Sequence, residues 1–326
     1  MKLSSRVLAA ATAAVLLALL GGCGASAPQA ESPSAARTSP TRTDSPPPTP
    51  TAPPSSAVEP GAYPSYVALG DSFTAAPLAS KTDATDGCLR SKYNYPALVA
   101  AALVGTRLDD RSCAGADTTS LVGVQNTVKG VVPAQFDALT ADTSLVTLGI
   151  GGNDFGIYGT LIGTCPGLRQ RDPTGAPCQE QLTAGGEDRL RTEVARLGPR
   201  LAATIAGIRD RSPNAVIVVV GYPSAIAPGG SCPELLPLAD GDYAYAASIN
   251  AALADVQKRA AAKAGVTYVD SFAASLGHDI CSDQPWVNGQ VTSAGTALAF
   301  HPLIAEQRAI AQLVLSALPR HGVAKH

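Results

Sequence analysis

Four short aliphatic runs stand out along the chain after residue 60: SYVALG (65–70), SLVTLGIGG (144–152), AVIVVVGYP (215–223) and VTYVDSF (266–272). Each is rich in β-branched or aliphatic residues and breaks at Gly, Pro, Asp or Ser, which reads as a buried strand running into a loop. A weaker run, TRLDDRSC (106–113), predicts a fifth strand. Between them, apolar residues recur at spacings of three and four over 95–105, 133–139, 187–211, 242–265 and 302–318, which predicts helices, with Pro199 expected to kink the longest. Strands that are apolar throughout, alternating with helices, imply a parallel sheet covered on both faces. The expected fold is therefore α/β: a flavodoxin-like three-layer α/β/α sandwich with a five-stranded parallel sheet. Ligands of such sheets sit beyond the carboxyl ends of the strands, where the strand order reverses. Ser72, Gly115 and Asn153 each follow a strand at that end, and His301 closes the irregular segment before the last helix.

The pattern changes character before residue 62. Residues 1–22 have a basic start (Lys2, Arg6), an apolar stretch from Val7 to Leu20 and then small residues. That stretch is short for a membrane span and reads as a signal peptide. Leu20-Gly21-Gly22-Cys23 resembles a bacterial lipobox, so Cys23 is expected to be lipidated and to hold the exported protein at the outer face of the cell membrane. Plain secretion is the alternative. Residues 23–61 are nearly all Ala, Ser, Thr and Pro, with ten prolines, and are expected to form a disordered tether. A domain over 62–320 and a flexible 321–326 tail complete the division. The 326 residues carry a formal charge of -2 with the signs interspersed, which excludes the basic tract that a nucleic-acid partner would need.

Candidate chemistry falls in four blocks: GDS (70–72), CAGAD (113–117), GIGGNDFG (149–156) and FHPLIAEQ (300–307). A serine hydroxyl at a strand end is a weak nucleophile until a base takes its proton. His301 is the best candidate for that base, because His321 and His326 lie in the tail and His278 in a loop. In this order the blocks resemble those of the SGNH, or GDSL-type, serine hydrolases. The likeness spans nearly all of 63–319 and is greatest to the actinobacterial secreted esterases and lipases with three disulfides, which share wide loops and a CS..PWVNG segment, here CSDQPWVNG (281–289). The resemblance implies a cofactor-free, metal-free esterase or lipase acting on acyl esters. It implies Ser72 as nucleophile, His301 as general base, and an oxyanion hole made by the N–H groups of Ser72 and Gly115 with the Asn153 amide. An Asp three residues before the histidine is usual in the family. Leu298 stands there, so its backbone carbonyl is the expected orienter of His301, with Asp279 or Asp283 as distant alternatives. Ala76 replaces a frequent glycine, and the turn there is expected to differ from a left-handed one, with Pro77 fixing its exit. Asp71 is expected to support the first loop, Asp154 lacks an interpretable partner, and no opposed carboxylate pair suggests glycosidase chemistry.

Without Cys23 six cysteines remain: Cys88, Cys113, Cys165, Cys178, Cys232 and Cys281. An even number in an exported chain suggests disulfides, and fifteen pairings are open to it. Pairing in sequence order is favoured because each bond would then pin a long loop at the presumed active rim. A zinc site would need close Cys or His pairs, and there are none. Substrate choice falls to loops 78–93, 157–186 and 224–241, whose Leu, Ile, Tyr and Pro favour a neutral acyl chain. A carbohydrate O-deacetylase is the alternative enzyme and a non-catalytic binding lipoprotein the alternative class. The protein is expected to be monomeric.

Overall fold

The computed structural model describes residues 61–319. The signal peptide, Cys23, the tether up to residue 60 and the 321–326 tail lie outside the described residues. Five strands form one parallel sheet: β1 (Ser65–Gly70), β2 (Arg107–Asp110), β3 (Leu145–Gly149), β4 (Val216–Val220) and β5 (Thr267–Val269), in the order β2-β1-β3-β4-β5. The sandwich expected from the sequence is thus the fold observed. The order reverses between β1 and β3, whose last residues Gly70 and Gly149 lie in register.

The strands look uniformly apolar because alternate side chains serve two cores. Val67, Leu69, Val146, Leu148, Ile217 and Val219 face one layer, with Leu197, Leu201 and Ile205 of helix α2 (Arg189–Arg211) and Ile249, Leu253 and Val256 of α3 (Asp242–Ala264). Tyr66, Ala68, Leu145, Val218 and Val220 face the other, with Tyr95 and Val99 of α1 (Tyr95–Ala102) and Ile310 and Val314 of α4 (Ile304–Ala317). A strand flanked by two apolar layers has no polar face to show, and each large side chain buried contributes about 1.5–3 kcal/mol.

Pro199 lies inside α2, which runs as one helix over 23 residues. Proline removes one backbone bond, and the apolar stripe from Leu190 to Ile208 holds the helix on the sheet across it. The segment 133–139 forms only a 3-10 turn over Gln135–Ala138 instead of a helix. So short a segment gains too little by propagation to offset nucleation, and buried Gln135 turns inward to backbone groups of β1. The loops also contain two small hairpins, Thr82–Asp83 with Arg90–Ser91 and Gln125–Thr127 with Gly130–Val132.

Disulfides join Cys88 to Cys113, Cys165 to Cys178 and Cys232 to Cys281, which is pairing in sequence order. They close spans of 25, 13 and 49 residues, and closures of this size contribute about 3–4 kcal/mol each in the chain-entropy view. Such bonds form in oxidising compartments, and the protein is an exported one.

Candidate active site

The end of β1 is held by three hydrogen bonds. Gln135 accepts from the Gly70 N–H at 2.8 Å and donates to the Gly70 carbonyl at 2.9 Å, while the Asp71 N–H donates to the Gly149 carbonyl at 3.0 Å. Gly70 has no room for a side chain: a Cβ would lie 2.2 Å from Thr74 Oγ1 and 2.7 Å from the Gly149 carbonyl. The chain then folds into one helical turn, Ser72–Ala75, capped by Asp71, whose carboxylate accepts from the Phe73 N–H at 2.8 Å. Ser72 is thereby fixed at the start of the turn, buried, on the rim of the sheet.

Ala76 closes this turn with φ 51° and ψ 62°, in the left-handed region, which corrects the expectation of a different turn there. An alanine held there costs roughly 1–2 kcal/mol. The surroundings impose it, since the Ala76 N–H donates to the Ser72 carbonyl at 2.9 Å and its own carbonyl accepts from Ser91 Oγ at 2.6 Å.

His301 is oriented by a carbonyl, and that carbonyl belongs to Ala299: Nδ1 lies 2.7 Å from the Ala299 oxygen. This corrects the assignment to Leu298. The Leu298 carbonyl is occupied by the His301 backbone N–H and the Asn288 side-chain amide, each at 3.2 Å. Phe300, with φ 61°, turns the chain between them so that the Ala299 oxygen meets the ring. Asp279 caps the Cys281 N–H at 2.9 Å, and no carboxylate bonds to His301 among the described residues. A carbonyl can only accept, so the proton sits on Nδ1 and Nε2 keeps its lone pair. Burial pushes the His301 pKa below the ordinary 6.5, against a smaller upward pull from the Ala299 bond.

Asn153 follows β3, and its side-chain amide donates to the Ala116 carbonyl at 2.8 Å, leaving a second N–H. Ala116 adjoins Gly115, whose φ of +79° suits a residue without Cβ. Asp154, fully buried, accepts from the Thr118 N–H at 3.0 Å, the Thr118 hydroxyl at 2.5 Å and Arg200 Nη1 at 2.9 Å. The second and third blocks are thus tied to each other and to α2.

Ser72, Asn153 and His301 line one cavity of about 130 Å³, walled by Phe73, Tyr158, Ile162, Ile226, Ile280 and Val287. Gly115 does not line it and sits in the adjoining turn. The Ser72 hydroxyl makes no hydrogen bond among the described residues. Among those residues no cluster of three or more His, Cys, Asp or Glu side chains is spaced to hold a metal ion.

Tyr222 and Gln307 also belong to the site, although the sequence pattern gave neither a task. Tyr222, just past β4, bonds both Asp71 and the Gly152 N–H. Burial raises the Asp71 pKa to about 7, against the lowering bonds from Tyr222 and Phe73. Gln307 of α4 donates to the Phe73 carbonyl at 3.0 Å and accepts from the Tyr95 N–H at 2.6 Å, joining the nucleophile turn to the helix after His301. The available signals were the strand end before Tyr222 and, for Gln307, its place at the end of the fourth block.

The model of the GDSL-like lipase/acylhydrolase family matches residues 68–304, a span that includes all four blocks up to residue 304. "Lipase 2" of Streptomyces coelicolor is 39% identical over 221 residues, 66% of this chain and 72% of that protein. Among solved structures, an extracellular lipase from Streptomyces rimosus superposes with a TM-score of 0.65 and 28% identity, covering 78% of this chain and 99% of its own. A phospholipase A1 from Streptomyces albidoflavus NA297 gives 0.63 and 31%, covering 79% and 100%.

Proposed function

The chain belongs to the GDSL-like lipase/acylhydrolase family and is a carboxylic-ester hydrolase, and on that premise we propose that it works through an acyl-enzyme on Ser72 with His301 as general base. The observation that carries this reading is the single cavity shared by Ser72, Asn153 and a His301 whose Nδ1 is already engaged by Ala299. With Nδ1 donating, Nε2 is the nitrogen left to take the Ser72 proton as the oxygen attacks the ester carbonyl. Such contacts tighten when substrate fills the site. The carbonyl oxygen becomes an oxyanion, met by the free N–H of Asn153 and the backbone N–H groups of Ser72 and Gly115. The imidazolium returns its proton to the leaving alcohol. Water then attacks the acyl-enzyme as it gives a proton to His301, and His301 passes that proton to the Ser72 oxygen as the bond to the acyl group breaks and the acid leaves. Ala299 offers a neutral dipole, so the imidazolium is stabilised less than by a carboxylate.

The apolar walls support an ester with a neutral acyl chain. A fluorophosphonate probe should label the purified domain at Ser72 and leave Ser72→Ala unlabelled; equal labelling of both would end the reading. Nitrophenyl esters of increasing acyl length should then be cleaved faster beyond acetate. A maximum at acetate, with acetate released from acetylated glycans, would instead make the protein a deacetylase.

Lipidation of Cys23 is the second part of the reading, supported by the Leu20–Cys23 lipobox. Among the described residues no helix is long and apolar enough to cross a membrane. Two or more acyl chains on one cysteine would anchor the enzyme stably. Cys23→Ser should move esterase activity from the membrane fraction to the medium; an unchanged distribution would refute the anchor.

A further inference from the structure

We propose that Tyr222 is a positioning residue for the oxyanion site, its hydroxyl locking the turn that bears Ser72 to the loop that bears Asn153. The inference rests on the reading of Asn153 as an oxyanion donor. Tyr222 is almost fully buried beyond the end of β4, and its oxygen accepts the Gly152 N–H at 2.7 Å. Its hydroxyl proton goes to the Asp71 carboxylate. The other oxygen of Asp71 accepts the Phe73 N–H at 2.8 Å. One continuous chain of hydrogen bonds therefore runs from the residue before Asn153 to the residues on either side of Ser72.

The geometry leaves little slack. A Cβ on Gly152 would lie 2.3 Å from the Tyr158 ring and 3.0 Å from the Tyr222 hydroxyl, so the loop rests directly on both aromatics. The Tyr222 ring meets Phe73 and Tyr158 edge-on, each with centroids 5.2 Å apart, and those two rings wall the cavity. The ring packs and the hydroxyl sets the spacing between blocks. Tyr222 itself does not line the cavity, so it acts through Gly152 and Asp71.

Tyr222→Phe keeps the ring and removes the link. Because misplacing a reacting group by about 1 Å costs up to about 100-fold, kcat should fall by about 10- to 100-fold with KM within twofold. The discriminating measurement is a double-mutant cycle with Asn153→Ala. In that background the donor to be positioned is gone, so Tyr222→Phe should cost less than about threefold in kcat. A loss of the same factor in both backgrounds, or a kcat within twofold of the parent, would overturn the proposal. If Asn153→Ala alone leaves kcat unchanged, the oxyanion assignment fails first and takes this one with it. Should Tyr222→Phe not accumulate as folded protein, Asp71→Ala removes the other end of the same bond, and additivity with Asn153→Ala would overturn the link equally.

Discussion

Ser72→Ala is expected to lower kcat by about four to six orders of magnitude, because removing a nucleophile that acts as a unit with its base removes the covalent route entirely. Stability should hardly change. The Ser72 turn is closed by backbone bonds, from the Ala75 N–H to the Asp71 carbonyl and from the Ala76 N–H to the Ser72 carbonyl, each at 2.9 Å, and none involves the hydroxyl. His301→Ala should cost a similar factor, and the double variant little more than either alone. Ester hydrolysis followed alongside thermal melting separates these outcomes. Residual activity within a hundredfold of the parent at an unchanged melting temperature would mean that another group attacks the ester.

The same base sets the acid limb of the pH profile. His301 must be neutral to accept a proton, and burial places its pKa below 6.5. Activity should therefore persist as pH falls through 6.5 and be lost only as pH drops through the lowered value. The stability contribution has the same sign. A histidine with a depressed folded-state pKa binds fewer protons folded than unfolded, so stability is full above 6.5 and declines as pH falls below it.

The layers and the parallel sheet were legible because parallel strands covered on both sides leave an unmistakable mark: Tyr66, Val67, Ala68 and Leu69 are all apolar although they alternate between two cores. The positions of Ser72, Asn153 and His301 followed from strand ends and block order. What escaped were details fixed by contacts across long stretches of chain. Tyr222 meets partners 70 and 151 residues away, and Gln135 meets Gly70 across 65. No local pattern marks a tyrosine or glutamine for such a task. The Leu298 assignment failed for another reason. Which carbonyl reaches the imidazole depends on a left-handed Phe300, a conformation that a phenylalanine rarely adopts and no periodicity announces. Ala76 was misread in the same way: the left-handed turn persists where the glycine that would suit it does not.

Arg200→Met should destabilise the domain by roughly 2–3 kcal/mol. Asp154 is fully buried, and Arg200 is the one cation paired with it among the described residues. Breaking a buried pair costs about 3–5 kcal/mol because a charge is left without its counterion. The Arg200 side chain is 38% exposed, so solvent already screens part of that attraction, and two Thr118 donors remain to the carboxylate. Both considerations bring the cost below the fully buried value. A further part comes from Phe155, whose ring lies 4.1 Å from the Arg200 guanidinium and 4.3 Å from that of Arg196, a stacking worth about 0.5–1 kcal/mol at an exposed site. For a domain of this size the melting temperature should fall by about 4–12 °C. Asp154→Asn combined with Arg200→Met removes the uncompensated charge and keeps one acceptor for the Thr118 N–H, while the new amide N–H can donate to the Thr118 hydroxyl, so the double variant should be more stable than Arg200→Met alone. Denaturant titration of the two variants tests this ordering. A double variant less stable than Arg200→Met would show that the carboxylate is held by Thr118 and that Arg200 contributes through its packing on Phe155.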